Sequence, residues 1–260
     1  MKVAVCGCGR MGGPMAAALH RSGVDVVGFD VAEKPWPFMA TLSALDDRET
    51  IFTVVRDQDE TDALLFDVQR VASLPAMRTL VICSTLSPKY VRQLRERVPS
   101  HITLIDAPMS GAAIAAEEAR LSFMLGGEVK AIAAIQPLLD IMGSHFHHMG
   151  PFGAGMAAKV LNNLVAASST AATRTALAWA DAHGMDREKL LALMHNSSGQ
   201  TWFGSGFESI EFARDGFADE NTIGILAKDV AAAIDGAPTD ADTTLAQELI
   251  RTIRNLKPLD

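Results

Sequence analysis

Over the first 150 residues, short apolar runs alternate with amphipathic stretches. The runs KVAVCG, DVVGFD, TIFTVV, TLVICS, ITLIDA and LSFMLG predict strands, apolar enough to be covered on both faces. Between them, MGGPMAAALHRSG and PKYVRQLRERV predict helices, punctuated by Ser or Gly at their ends. The stretch from Glu33 to Glu49 is less regular and is broken by Pro35 and Pro37. This alternation predicts an α/β Rossmann domain with a mostly parallel, doubly wound sheet. After GPFGAG no strong strand pattern remains and helical segments follow one another. The predicted division is therefore a Rossmann domain over residues 1–152 and an all-helical domain over 153–260.

The helix that opens the second domain contains GMAAKVLNNLV. From Gly153 to Ala180 its only charged side chains are Lys159 and Arg174. Lys159 and Asn163, four residues apart, share one face. A polar strip of this kind ordinarily faces water; the alternative is a lysine placed for chemistry, and the helix alone does not choose between them.

Composition narrows the classes. A chain of 260 residues, 48% hydrophobic and 21% charged, suits a soluble protein of two domains. A net charge of −8 without a Lys/Arg run argues against a nucleic-acid partner. No apolar window is long enough to span a membrane, and the glycine-broken start does not read as a signal peptide. Three cysteines (Cys6, Cys8, Cys83) form no disulfide framework, which suits a reducing, cytoplasmic setting. No metal site is expected. Cys6 and Cys8 flank a glycine turn with another purpose, and strand alternation separates His147 from His148, with His145 nearby. Trp202 and Phe203 are expected to pack the helical domain.

Strand KVAVC runs into Gly7-Cys8-Gly9-Arg10-Met11-Gly12 and then into a helix. In that context G-x-G-x-x-G predicts a dinucleotide site. Gly7 allows the tight turn, Gly9 admits a pyrophosphate, and Gly12 lets helix and strand pack closely. The helix N-terminus offers N–H groups to phosphates, and Arg10 and Met11 complete the turn. Asp30, 23 positions beyond Gly7, stands where a carboxylate binds the adenosine ribose. It favours NAD over NADP, with Lys34 the one nearby cation that opposes this. Further on, DAPMSGAAIAAEEARLSFMLGG places a Ser-Gly-Ala turn after a strand, a hydroxyl and close backbone N–H groups suited to an anion.

With these motifs in order, the sequence resembles the β-hydroxyacid dehydrogenases, the 3-hydroxyisobutyrate dehydrogenase-like family of the 6-phosphogluconate dehydrogenase superfamily. The blocks GCGRMGGPMA, STLSP at 84–88, DAPMSGA at 106–112 and GAGMAAKVLNN at 153–163 match across most of the chain, and AKD at 227–229 matches more weakly. The resemblance implies a Rossmann domain and a helical domain that binds substrate and mediates oligomerisation. It implies Lys159 as catalytic acid/base and Asn163 as its substrate-orienting partner. Ser110, Gly111 and Ala112 would hold a substrate carboxylate. Thr85 and Lys228 would sit near the nicotinamide, and Val55 near the cofactor's entry path. The sequence departs from the family where Ala112 replaces a usual Gly, where Val55-Arg56 replaces a usual Leu-Pro, and where Arg120 replaces a small polar residue. Arg120 reads as a solvated arginine at a strand end.

These roles make chemical sense. Hydride transfer from an alcohol carbon requires the hydroxyl proton to leave, and an amine can accept it. An ordinary lysine, with a pKa of ~10.4, is a poor base at neutral pH; desolvation and a neighbouring positive ring would improve it. Asn163 can contact a hydroxyl without competing for the proton. The expected function is an oxidoreductase moving a hydride between NAD(H) and a small 3-hydroxy acid or its semialdehyde, acting on an anionic substrate as a homodimer or homotetramer. The alternatives are an imine reductase of the same superfamily, which usually has another residue at the Lys159 position, and a redox-inactive NAD-binding sensor.

Overall fold

A computed structural model of the chain describes residues 1–259. They fall into two compact units, Met1–Lys159 and one that begins at Val160.

The first unit is built on strands β1 (Val3–Cys6), β2 (Val26–Phe29), β3 (Thr50–Thr53), β4 (Thr79–Ile82), β5 (Thr103–Asp106), β6 (Met109–Ser110), β7 (Leu121–Gly126) and β8 (Gly143–Gly150). Strands β2, β1, β3, β4 and β5 lie side by side in that order, all parallel. The sequence marks these strands because β1 and β3 are buried at every position and so read as unbroken apolar runs. Beyond them β7 runs antiparallel to β5, pairing Gly126 with Asp106, and to β6, pairing Phe123 with Met109. β8 adds in parallel to β7. Sequence reading missed β6, whose two residues carry too little pattern to mark a strand.

Helices α1 (Gly12–Arg21), α2 (Gln58–Asp62), α3 (Pro88–Arg97), α4 (Ala112–Glu117) and α5 (Val129–Met142) connect the strands. Two apolar layers result, one containing Met15, Leu19, Phe52, Ile105 and Phe123, the other Ile51, Leu65, Leu80, Val91 and Met156. The link from β2 to β3 has no α-helix. Pro35 and Pro37 break it, a single 3₁₀ turn spans Leu42–Leu45, and Phe38 is buried in the core against Trp36 and His20.

Helix α6 (Ala154–Ala182) carries the chain into the second unit, followed by α7 (Arg187–His195), α8 (Trp202–Ser205), α9 (Thr222–Asp235) and α10 (Thr244–Arg254). Ala167 and Ala171 of α6 pack with Leu226 and Val230 of α9 and Leu249 and Ile253 of α10. Leu177, Leu191, Phe203 and Phe207 form a second cluster. Phe203 is fully buried, whereas Trp202 stays mostly exposed. Both thus pack the helical domain, Phe203 from within and Trp202 from the head of the short α8, its ring against Phe203 and Phe212.

Arg174 is buried, and its guanidinium donates to the carbonyls of Ala213 (2.8 Å), Asp215 (2.7 Å) and Lys257. Burial lowers its pKa, yet three carbonyl acceptors stabilise the cation, and a guanidinium stays protonated. Of the two cations on α6, this one holds backbone together.

Candidate active site

The glycine turn has the geometry its spacing predicts. Gly7 adopts φ +95°, and a Cβ there would lie 2.5 Å from the Val54 carbonyl oxygen. At Gly12 a Cβ would sit 2.0 Å from the Gly7 carbonyl oxygen, so α1 reaches the β1 turn only because that side chain is missing. Around Gly9 the space is open, and Gly9 and Arg10 are exposed, with Met11 half-buried. A backbone open at Gly9, at the head of a helix, fits a pyrophosphate, so the residues present suit a dinucleotide. The Trp36 indole donates to the Cys8 carbonyl at 3.3 Å and holds the turn from its other side.

Asp30 follows β2 at the carboxyl end of the sheet. Its Oδ1 accepts from the Ala32 N–H at 2.9 Å and faces Lys34 Nζ at 3.8 Å. The cation flagged in the sequence therefore lies beside the carboxylate. Val55 and Thr85 sit past the ends of neighbouring β3 and β4, joined by the Val55 N–H donating to Ser84 Oγ at 2.9 Å. Carboxyl ends of parallel strands are where such sheets bind ligands. Arg56, unexpected there, is held by Glu60 at 2.6 Å.

The Ser-Gly-Ala turn follows directly. Ser110 pairs with Ser122 in β6, Gly111 takes φ +132° and Ala112 φ +56°. Ala112 thus occupies a left-handed conformation that favours glycine, which gives the departure from the family pattern a conformational meaning. Arg120 is exposed and pairs with Glu118.

On α6 the expected polarity of faces is reversed. Lys159 is 7% exposed and Asn163 8%, while Leu161, Val165 and Trp179 face outward. The polar strip is inside, so the solvated reading of Lys159 fails. The Asn163 amide donates from Nδ2 to Asp229 Oδ2 at 2.6 Å, and its Oδ1 accepts from Asn162 at 3.2 Å. Asp229 is buried in α9; its Oδ1 has no hydrogen-bond partner and lies 3.4 Å from Lys228 Nζ. The AKD block thus places Asp229 against Asn163 and Lys228 beside Asp229. Sequence reading selected Lys228 and passed over Asp229, whose signal was burial of a carboxylate within an apolar helix. Among the described residues no group of three or more His, Cys, Asp or Glu is placed to hold a metal ion.

Comparison with known proteins supplies the context. The family profile described as the NAD binding domain of 6-phosphogluconate dehydrogenase matches residues 2–150. A second, described as NAD-binding of NADP-dependent 3-hydroxyisobutyrate dehydrogenase, matches 153–255. The chain is 30% identical to a 3-hydroxyisobutyrate dehydrogenase of Pseudomonas aeruginosa, over 98% of this chain and 91% of the relative. It is 29% identical to an NAD-dependent L-serine dehydrogenase of the same organism, over 94% and 87%. A solved structure of Mycobacterium tuberculosis 3-hydroxyisobutyrate dehydrogenase with L-serine superposes at a TM-score of 0.81, with 27% identity over 100% of this chain and 96% of that one. An imine reductase from Myxococcus stipitatus superposes at 0.68 with 18% identity, over 97% of this chain and 92% of that one, a likeness of fold.

Proposed function

The chain belongs to the β-hydroxyacid dehydrogenase family, and from that premise we propose that Lys159 is its catalytic acid/base, assisted by Asn163. The protein is an NAD-dependent oxidoreductase that interconverts a small 3-hydroxy acid and its semialdehyde. The observation that carries the Lys159 assignment is its burial beside a buried asparagine on α6. A buried lysine without a chemical or structural task is costly.

The nicotinamide, when bound, supplies the hydride acceptor or donor. Gly7, Gly9, Arg10, Met11 and Gly12 hold the pyrophosphate, and Asp30 the ribose. Val55, Thr85 and Lys228 border the reacting end. Ser110, Gly111 and Ala112 hold the substrate carboxylate and fix which carbon is presented. Lys159 Nζ accepts the hydroxyl proton during oxidation and returns it during reduction. Asp229 accepts from Asn163 Nδ2, and the second N–H of that amide is the donor suited to the oxygen of the substrate hydroxyl, whose proton goes to Lys159. The two substrates named for the relatives, 3-hydroxyisobutyrate and L-serine, share a carboxylate and a primary hydroxyl on carbon 3. That pair defines the substrate class. In this reading residues 1–152 carry most of the cofactor site together with the Ser110-Gly111-Ala112 anion turn, and the helical residues from 153 onward supply Lys159 and Asn163 to the substrate, Lys228 to the cofactor, and the subunit contact.

The outward apolar residues Leu161, Val165 and Trp179 suit the contact of a homodimer or homotetramer. Three free, buried cysteines suit a reducing cytoplasm, and no helix among the described residues is long and apolar enough to cross a membrane.

Lys159→Ala tests the assignment. Its kcat should fall by about 10²–10⁴-fold, with NADH binding, read by fluorescence, retained. Oxidation by the wild type should speed up as pH rises, since only the neutral amine accepts a proton. Near-normal kcat in the mutant would end the Lys159 reading.

A further inference from the structure

Asp106 closes β5 and is fully buried. Its two carboxylate oxygens both accept from the backbone that opens α6: Oδ1 from the Gly153 N–H at 2.6 Å and Oδ2 from the Met156 N–H at 2.5 Å. These belong to the N–H groups that a helix start leaves without intrahelical partners, and a carboxylate is the ligand that the positive end of a helix favours.

The grip is reinforced on other sides. The Leu86 N–H, just past β4, meets Met156 Sδ at 3.3 Å. Gly155 lies so close to β7 that a Cβ there would be 2.3 Å from the Met124 carbonyl oxygen. At Gly126 a Cβ would lie 2.1 Å from Asp106 Oδ1 itself. Desolvation raises the Asp106 pKa, while the two backbone donors and Arg92 oppose that rise. The chain has thus built a fully buried socket for one carboxylate where an N-capping serine would satisfy the Met156 N–H without burying a charge.

What the socket holds is the first turn of the helix that carries Lys159. Lys159 follows Met156 by three residues, about 4.5 Å along the axis at 1.5 Å per residue. We propose that Asp106 is a positioning residue for catalysis: by gripping the Gly153 and Met156 amides it sets the rotation and depth of α6, and with them the place of the Lys159 amine. The proposal rests on the reading of Lys159 as the acid/base. Loss of one oxygen would let the turn pivot, and a shift of about 1 Å at a reacting group can cost on the order of 10²-fold in rate.

The experiment compares Asp106→Asn with Lys159→Ala. Asparagine keeps the size but turns an N–H toward an N–H that needs an acceptor. Rates are counted per NADH-binding site, titrated by fluorescence, so that unfolded chains do not contribute. Expected for Asp106→Asn is a kcat reduced about 10–100-fold, with unchanged NADH affinity and a larger primary deuterium isotope effect as the chemical step becomes limiting. Full kcat per site in Asp106→Asn, alongside a crippled Lys159→Ala, would overturn the positioning role and leave the Lys159 reading standing. Full kcat in Lys159→Ala would remove the premise instead. A parallel loss of kcat and NADH affinity would mark Asp106 as merely structural and also overturn the proposal. Should Asp106→Asn not fold, Gly153→Ala carries the test. It leaves the carboxylate intact but strains the gripped turn at φ +91°, and the same selective loss of kcat is expected, with full kcat overturning the role.

Discussion

Ala112→Gly should stabilise the protein. Ala112 holds φ +56° immediately after Gly111 at φ +132°, and a left-handed conformation costs an L-residue about 1–2 kcal/mol. Glycine removes that strain but gives the unfolded chain back about 0.4–1 kcal/mol of conformational entropy. The midpoints of the two ranges leave a gain of about 0.8 kcal/mol. For a chain of this size, 1 kcal/mol moves the midpoint by roughly 2–4 °C, so calorimetry should find the Ala112→Gly transition about 1–4 °C higher. The neighbouring change is the control. In Gly111→Ala the new Cβ would lie 2.4 Å from the Ala115 Cβ at an unfavourable φ, and the loss should be about 2 kcal/mol or more. A midpoint lowered by Ala112→Gly, or unmoved by Gly111→Ala, would refute the conformational account of this turn.

Three further outcomes are expected. NAD should be preferred over NADP, since a 2′-phosphate facing the Asp30 carboxylate should cost about 1–3 kcal/mol; kcat/KM for the two cofactors measures it, and Lys34→Glu should widen the gap, an unchanged ratio arguing against any role for the 3.8 Å contact. Asp229→Leu removes the acceptor that fixes the Asn163 amide, so kcat/KM should fall about 10–100-fold, the equivalent of a charge-assisted bond of about 1.5–3 kcal/mol; an unaltered value would detach Asp229 from the site. Burial pushes the Cys8 thiol up to about 12 and those of Cys6 and Cys83 higher still. Iodoacetamide at pH 8 should therefore label the cysteines only after urea unfolding. A folded pKa raised above the unfolded 9.0 contributes stability that is full below about pH 9 and is lost as pH climbs toward 12, so urea midpoints should decline over that range.

The parts legible in the sequence are those whose causes are local. Gly7 and Gly12 act within one strand–turn–helix, so spacing alone predicts both the positive φ and the close packing. The buried strands announce themselves by unbroken apolar runs, and Pro35 and Pro37 warn that the β2–β3 link lacks a helix. The face of α6 was not legible, because a spacing of four serves water and a buried partner equally. Its resolution required Asp229, 66 residues from Asn163, and no local pattern specifies a partner at that distance. Likewise the strain at Ala112 shows in the sequence only against the family's usual glycine.

The socket around Asp106 bears on how such a chain can diverge. Gly126 has no room for a side chain beside the carboxylate, so these two can drift only together, and Gly155 is held separately by the backbone of β7. In its proposed role as acid/base, Lys159 is under a different constraint, because its loss would silence the chemistry and leave the socket whole. A descendant turned from enzyme into a reporter of cofactor levels would shed the lysine first and keep Asp106, Gly126 and Gly155. Among distant relatives these three positions are therefore expected to outlast the lysine, which, in its proposed role, would be kept only where the chemistry is.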